Sequence, residues 1–168
     1  MDIGIALVGA LGFENTYAFG MRAAHARELG VDSLSDLARH AGRLEMAGDY
    51  EFFDRPEWAA VRDRYGLAFR ERRSMDSALM YQAVREGQVD VISAFSTDGR
   101  IAAYDIELLD DDQGVIPPYD AIVLAGPRVR AEHPEVIESL TALAGRIDAA
   151  RMQRLNLAVD ADGRSPAA

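Results

Sequence analysis

The chain has 168 residues, 49% hydrophobic and 27% charged, with a formal net charge of −10 and no cysteine; that length suits one ordinary domain, or one lobe and part of another, since domains usually run to roughly 100–200 residues. The acidic balance argues against nucleic acid or anionic lipid as a partner, because phosphate surfaces need a basic face. All 18 basic residues are arginine, which excludes a Schiff-base or P-loop lysine, and the lack of cysteine excludes a disulfide framework, a thiolate nucleophile and a cysteine metal site.

The opening MDIGIALVGALGF is apolar but lacks a basic n-region and a cleavage site, so it reads as a strand rather than a signal. No run approaches the roughly 18 apolar residues of a membrane span. Short apolar runs then alternate with helical patterns: strands are expected at 16–21, 44–48, 67–72 and 89–95, an alternation that predicts parallel βαβ units. Between them, Ser33 followed by Asp36 predicts a capped helix start over 33–40. Pro56 suits the first turn of a helix in PEWAAVRDRYG, where its missing N–H would be unpaired anyway. Asp76 or Ser77 caps a helix running to Gly87, with Leu79, Met80, Ala83 and Val84 on one side. After residue 96 the character changes: DIELLDDD and DAIVLAG read as strands flanking a turn. A long amphipathic pattern follows, carrying Val136, Ile137, Leu140, Leu143, Ala144 and Ile147, and the tail DADGRSPAA is small and polar.

Four motifs stand out along this frame: GFENTYAF at 12–19, EFFDRPEW at 51–58, AFSTDGRI at 94–101 and IPPYD at 116–120. In letters, order and spacing they resemble the substrate-binding proteins of glycine betaine/choline/carnitine (osmoprotectant) ABC importers, and the resemblance runs over residues 12–159. It implies an α/β fold of the periplasmic-binding-protein type II class, with one complete parallel-sheet lobe plus an incomplete second lobe. Residues 12–96 would form lobe 2 and residues 97–159 the hinge return and the C-terminal part of lobe 1. Residues 1–11 would be a leading strand or a truncated start, and 160–168 a flexible tail. The remaining segment of lobe 1, with a further cage tyrosine, would lie on another or an upstream polypeptide.

The chemistry this family performs explains the residue types. A quaternary ammonium carries charge without any N–H, so it is recognised by electron-rich ring faces rather than by hydrogen bonds. A ligand carboxylate suits the planar, permanently charged fork of arginine. By the resemblance, Tyr17 in NTYAF and Tyr119 in PPYD supply cage rings. Phe95 in AFSTD stands where a tyrosine is common, a change that keeps a ring face but loses a phenolic oxygen. Arg55 in EFFDR takes the place of the carboxylate-binding arginine, and Asn15, Thr97 and Asp98 supply polar positions at the pocket edge and hinge. An arginine at a helix start also opposes the helix dipole, and a nearby anionic ligand would offset that. The bland alternatives are an edge-strand tyrosine at Tyr17, a turn tyrosine at Tyr119, a surface arginine at Arg55, and turn-capping side chains at Thr97 and Asp98. Glu14 stays open between drawing in cations and facing solvent.

Other constellations carry less. His25, His40 and His133 have no metal-site spacing, and the run Asp110, Asp111, Asp112 lacks the ligand pattern of a calcium loop and reads as a solvated turn. Ser93 and Ser96 lie outside a nucleophile elbow, so no catalytic group and no cofactor is expected. Trp58, Val61 and Tyr65 share helical spacing and read as core or interlobe packing. The expectation is therefore a non-enzymatic binding component, extracytoplasmic, that takes a small quaternary-ammonium ligand and works with ABC permease subunits. The rival is a truncated sensory or interaction domain that dimerises through the exposed lobe surface.

Overall fold

The computed structural model describes residues 4–160 and 163–166. Its main sheet has five strands in the order β4-β3-β5-β2-β6: β2 (Tyr17–Arg22), β3 (Glu45–Gly48), β4 (Glu71–Ser74), β5 (Val91–Phe95) and β6 (Ile106–Leu109). β3 pairs parallel with β4 and β5, as the alternating pattern predicts, whereas β2 runs antiparallel to both β5 and β6. The sheet is thus mixed rather than wholly parallel. The pairing of Phe19 in β2 with Leu109, last in β6, shows why on that side. Chain entering the main sheet on β2 and leaving it on β6 passes the same end, and two such adjacent passages require strands of opposite direction.

Alternation along the strands sorts side chains into two apolar layers. Met46, Val91, Phe19 and Met21 face a layer with Leu34, Leu37, Phe52, Trp58 and Val61. Ala47, Ile92 and Ala94 face the other, with Met80, Tyr81, Val84 and Ile101. The first layer is covered by α1 (Ala23–Leu29), α2 (Leu34–Ala38) and α3 (Pro56–Tyr65), the second by α4 (Ser77–Arg85) and α5 (Arg100–Ala103). Ser33 caps α2 by accepting from the Asp36 N–H at 3.2 Å, and Asp76 caps α4 through Ala78 N–H at 2.8 Å. Trp58 is core, as its spacing suggests.

Several expectations shift. The strand expected at 67–72 begins only at Glu71, because Leu67 and Phe69 pack on the core while Arg70 N–H goes to the carbonyl of Leu44 at 2.9 Å. What remains of β4 is Glu-Arg-Arg-Ser, an exposed charged edge that discourages strand addition. Leu79 is 57% exposed; the buried face of α4 is Met80, Tyr81, Ala83 and Val84. The acidic run at 110–112 is an anchor rather than a free turn. Asp111 accepts from the Tyr65 hydroxyl and from Ile116 N–H, and Asp112 accepts from Ser35 Oγ at 2.6 Å.

Outside the main sheet, β1 (Ala6–Glu14) and β7 (Asp120–Ala125) form an antiparallel two-stranded ribbon. The helices α6 (Pro127–Glu132), α7 (Pro134–Thr141) and α8 (Ala149–Asp160) follow it. The pattern over 136–147 is not one helix: α7 stops at Thr141, Gly145 takes φ 66°, and the N–H groups of Gly145 and Ile147 bond to the carbonyls of Ala10 and Leu11 in β1. Asp148 then starts α8 by accepting from Arg151 N–H at 2.7 Å. Of the tail expected at 160–168, Asp160 ends α8 and Arg164 N–H bonds to Ala158 O at 2.9 Å. Residues 161, 162, 167 and 168 lie outside the described residues, as do residues 1–3 of the expected leading strand. Among the described residues no helix is long and apolar enough to cross a membrane.

Candidate functional site

The site forms where the passages between the ribbon and the main sheet lie side by side. The β2–β5 register sets the ring of Tyr17 5.0 Å from that of Phe95, measured between centroids. The ring of Phe52 also stands 5.0 Å from that of Tyr17. Phe52 is held there by a tight turn in which Asp49 Oδ1 accepts from the N–H groups of Glu51 at 2.9 Å and Phe52 at 3.0 Å. Burial, reinforced by the facing carboxylate of Asp49, pushes the Tyr17 hydroxyl up to about 12.

Arg55 is extended just ahead of Pro56, and its guanidinium carbon lies 5.2 Å from the Tyr17 ring centroid. Its Nε is 3.4 Å from Glu57 Oε2 and its Nη1 is 3.6 Å from Glu51 Oε2. Glu57 Oε1 in turn accepts the hydroxyl of Tyr119. Hydrogen bonding to Tyr119, then to Glu57, raises the Arg55 pKa; the Tyr119 hydroxyl is the largest influence lowering that of Glu57. Tyr119 is also tied by its backbone: its carbonyl accepts Asn15 N–H at 3.1 Å and its N–H donates to Glu14 Oε2 at 3.3 Å. Phe95 and Arg55 thus both stand against Tyr17, and Glu57 joins Arg55 to Tyr119.

The polar positions fall behind this cluster. The Thr97 hydroxyl donates to Asn15 Oδ1 at 2.7 Å, and Ser96 Oγ accepts Thr16 N–H at 3.1 Å while donating to Glu14 O at 2.9 Å. These bonds lace the β1–β2 link to the segment that follows β5. Asp98 sits apart, its carboxylate held by Arg100 at 2.6 and 2.9 Å, with that guanidinium over the Tyr81 ring. Glu14 serves as an acceptor for the returning chain and lines a cavity of about 540 Å³ beside Tyr17, with Thr16, Ser96, Ile116 and Pro117.

Glu57, Phe52 and Asp49 complete the cluster without having been singled out in the sequence. Glu57 carries a legible signal as an acid in the first turn after Pro56, where it favours the helix dipole. It also answers the electrostatic oddity of Arg55: the compensating anions, Glu57 and Glu51, belong to the chain itself.

The mixed α/β sheet with the ribbon beside it is the fold of the periplasmic-binding-protein type II substrate-binding proteins. Residues 2–168 match the model of the substrate binding domain of ABC-type glycine betaine transport systems, and the chain belongs to that family. It is similar to the carnitine transport binding protein OpuCC of Listeria monocytogenes serotype 1/2a (strain 10403S), at 34% identity over 157 residues covering 92% of this chain and 51% of that protein. A glycine-betaine-binding protein of Pseudomonas aeruginosa is 34% identical over 166 residues, covering 92% of this chain and 53% of that protein. Among solved structures, a glycine betaine/carnitine/choline ABC transporter superposes with a TM-score of 0.91 at 36% identity, over 98% of this chain and 61% of that one. The chain therefore spans about half the length of these two relatives.

Proposed function

We propose that this chain acts in the substrate-binding component of an ABC importer. On this reading it captures a quaternary-ammonium osmoprotectant (glycine betaine, choline, carnitine or a similar compound) between two lobes outside the cytoplasmic membrane and passes it to permease subunits. The reading is of a binding protein, not an enzyme. The observation that carries it is the meeting of the Tyr17 and Phe95 rings with Arg55 at the crossing between the two units, with Tyr119 joined to Arg55 through Glu57. Ring faces attract a cation that has no hydrogen to donate, each by about 0.5–2 kcal/mol depending on desolvation. The guanidinium gives a ligand carboxylate, where there is one, a planar partner. Asn15 and Thr97, bonded to each other, belong to the proposal as hinge-side support, with Asp98 acting only through its hold on Arg100 behind them, and no metal or cofactor is needed.

Titration calorimetry of the chain with choline and glycine betaine tests this. Arg55→Ala is expected to weaken glycine betaine roughly ten- to hundredfold, the range of one charged hydrogen-bonding partner, with a much smaller effect on choline. Equal losses for the two ligands would remove Arg55 from its role, and no heat with either would remove the function. A second reading, a non-transport interaction module that self-associates, draws on the exposed Leu7 and Leu124 of the ribbon.

A further inference from the structure

We propose that Glu57 is the specificity-determining residue of this site, and that it sets the site for a cationic quaternary-ammonium alcohol of the choline type over a zwitterionic betaine. The inference rests on the quaternary-ammonium reading above and narrows it to a charge class.

Glu57 exposes 9% of its surface, so its charge acts in a poorly solvated place. One carboxylate oxygen takes the Tyr119 hydroxyl, and the other lies 3.4 Å from Arg55 Nε. The group that would receive a ligand carboxylate is therefore already opposed by a carboxylate of the chain. Glu51 adds a second anion 3.6 Å from Arg55 Nη1, and Asp49 faces the hydroxyl of Tyr17. Two carboxylates flank the guanidinium, and a third faces the phenol beside it. A ligand with one positive charge gains from the rings and from this excess of negative charge. A betaine gains at its ammonium and loses at its carboxylate, which must approach Arg55 beside Glu57. Like charges held close in a partly desolvated site discriminate strongly.

The test is calorimetry on the full 168-residue chain with choline and glycine betaine, comparing the wild type with Glu57→Gln. The amide keeps an oxygen for the Tyr119 hydroxyl, removes the charge and turns toward Arg55 an amino group in place of the second oxygen. The wild type is expected to bind choline more tightly, and Glu57→Gln to shift the choline-to-betaine ratio toward betaine by about tenfold, the equivalent of one pKa-sized interaction. Glu57→Asp, which keeps the charge, is expected to leave the ratio near the wild-type value. A role confined to holding Arg55 and Tyr119 in place would weaken glycine betaine at least as much as choline, so the ratio would stay or move toward choline, which would overturn the inference while the transport reading stands. Tighter binding of glycine betaine than choline by the wild type would overturn it without any variant, so a folding failure of Glu57→Gln does not shelter it. Binding of neither ligand would end both this inference and the reading beneath it.

Discussion

The hydroxyl of Tyr17 is held neutral by burial and by Asp49, which raise it from 10.0 to about 12. A raised acid of this kind favours the folded state fully while the unfolded tyrosine is also protonated, below about pH 10, and that contribution is lost as pH climbs toward 12. Tyr17→Phe, which cannot ionise, is therefore expected to melt with a shallower loss of Tm between these two pH values than the wild type. Parallel curves in thermal scans would show that Tyr17 does not titrate as described. The short motifs point to Tyr17, Phe95, Arg55 and Tyr119, and the fold sets Phe95 and Arg55 against Tyr17. Asp49 lies outside every motif, and Glu57, inside one, signals only a helix start, because what each faces is decided by the fold: a phenol for Asp49, a guanidinium and the distant Tyr119 for Glu57. Asp98 shows the converse. It shares a motif with Thr97, yet its pairing with Arg100 turns it toward the Tyr81 side of the sheet.

Elements with a local cause were read well. Ser33 caps α2 and Asp76 caps α4 with side-chain oxygens that accept from amides only a few residues away, and Pro56 starts α3 by removing an amide that would have no partner. The segment 136–147 was misread because its apolar spacing is helical, whereas its end is decided by hydrogen bonds to β1, more than 130 residues away in sequence. Asp148 marks the start of α8 locally, whereas the position of this helix is decided at long range. Gln153 and Asn156 donate to the carbonyls of Ser96 and Thr97 at 2.7 and 2.8 Å. Next to them Gly99 lies so close that a Cβ there would stand 2.5 Å from Leu157 N and 2.6 Å from its Cα. The backbone of Gly99 is ordinary, so the constraint is space alone. Gly99→Ala must push α8 outward or strain the hinge, and should cost about 1–3 kcal/mol, as overpacking does. Chemical denaturation reads the loss and hydrogen exchange locates it at α8; an unchanged midpoint with full protection of α8 would contradict the packing.

At the scale of the whole molecule, the βαβ rhythm predicted the parallel trio β4-β3-β5, while the reversed direction of β2 was invisible to periodicity. A strand pattern repeats identically whichever way the strand runs, and direction here follows from how the chain enters and leaves the main sheet. The ribbon poses the remaining question. Leu7 pairs with Leu124 across the β1–β7 register, and Ile122 lies two residues along on the same face. These side chains are 65%, 55% and 49% exposed, respectively. Such a face gains by burial against any apolar surface, at about 25 cal/mol per Å² covered. If self-association through the ribbon is what the molecule does, sedimentation velocity will show a mass that rises with concentration, and Leu7→Ser with Leu124→Ser will abolish that rise. If ligand capture is its task, the same double variant will keep the rise in Tm produced by choline, since neither leucine touches Tyr17, Phe95, Arg55 or Tyr119 and a ligand that binds only the folded chain must stabilise it. Loss of the choline response in a folded, monomeric double variant would mean that the ribbon face takes part in binding, and would move the site away from the junction at Tyr17.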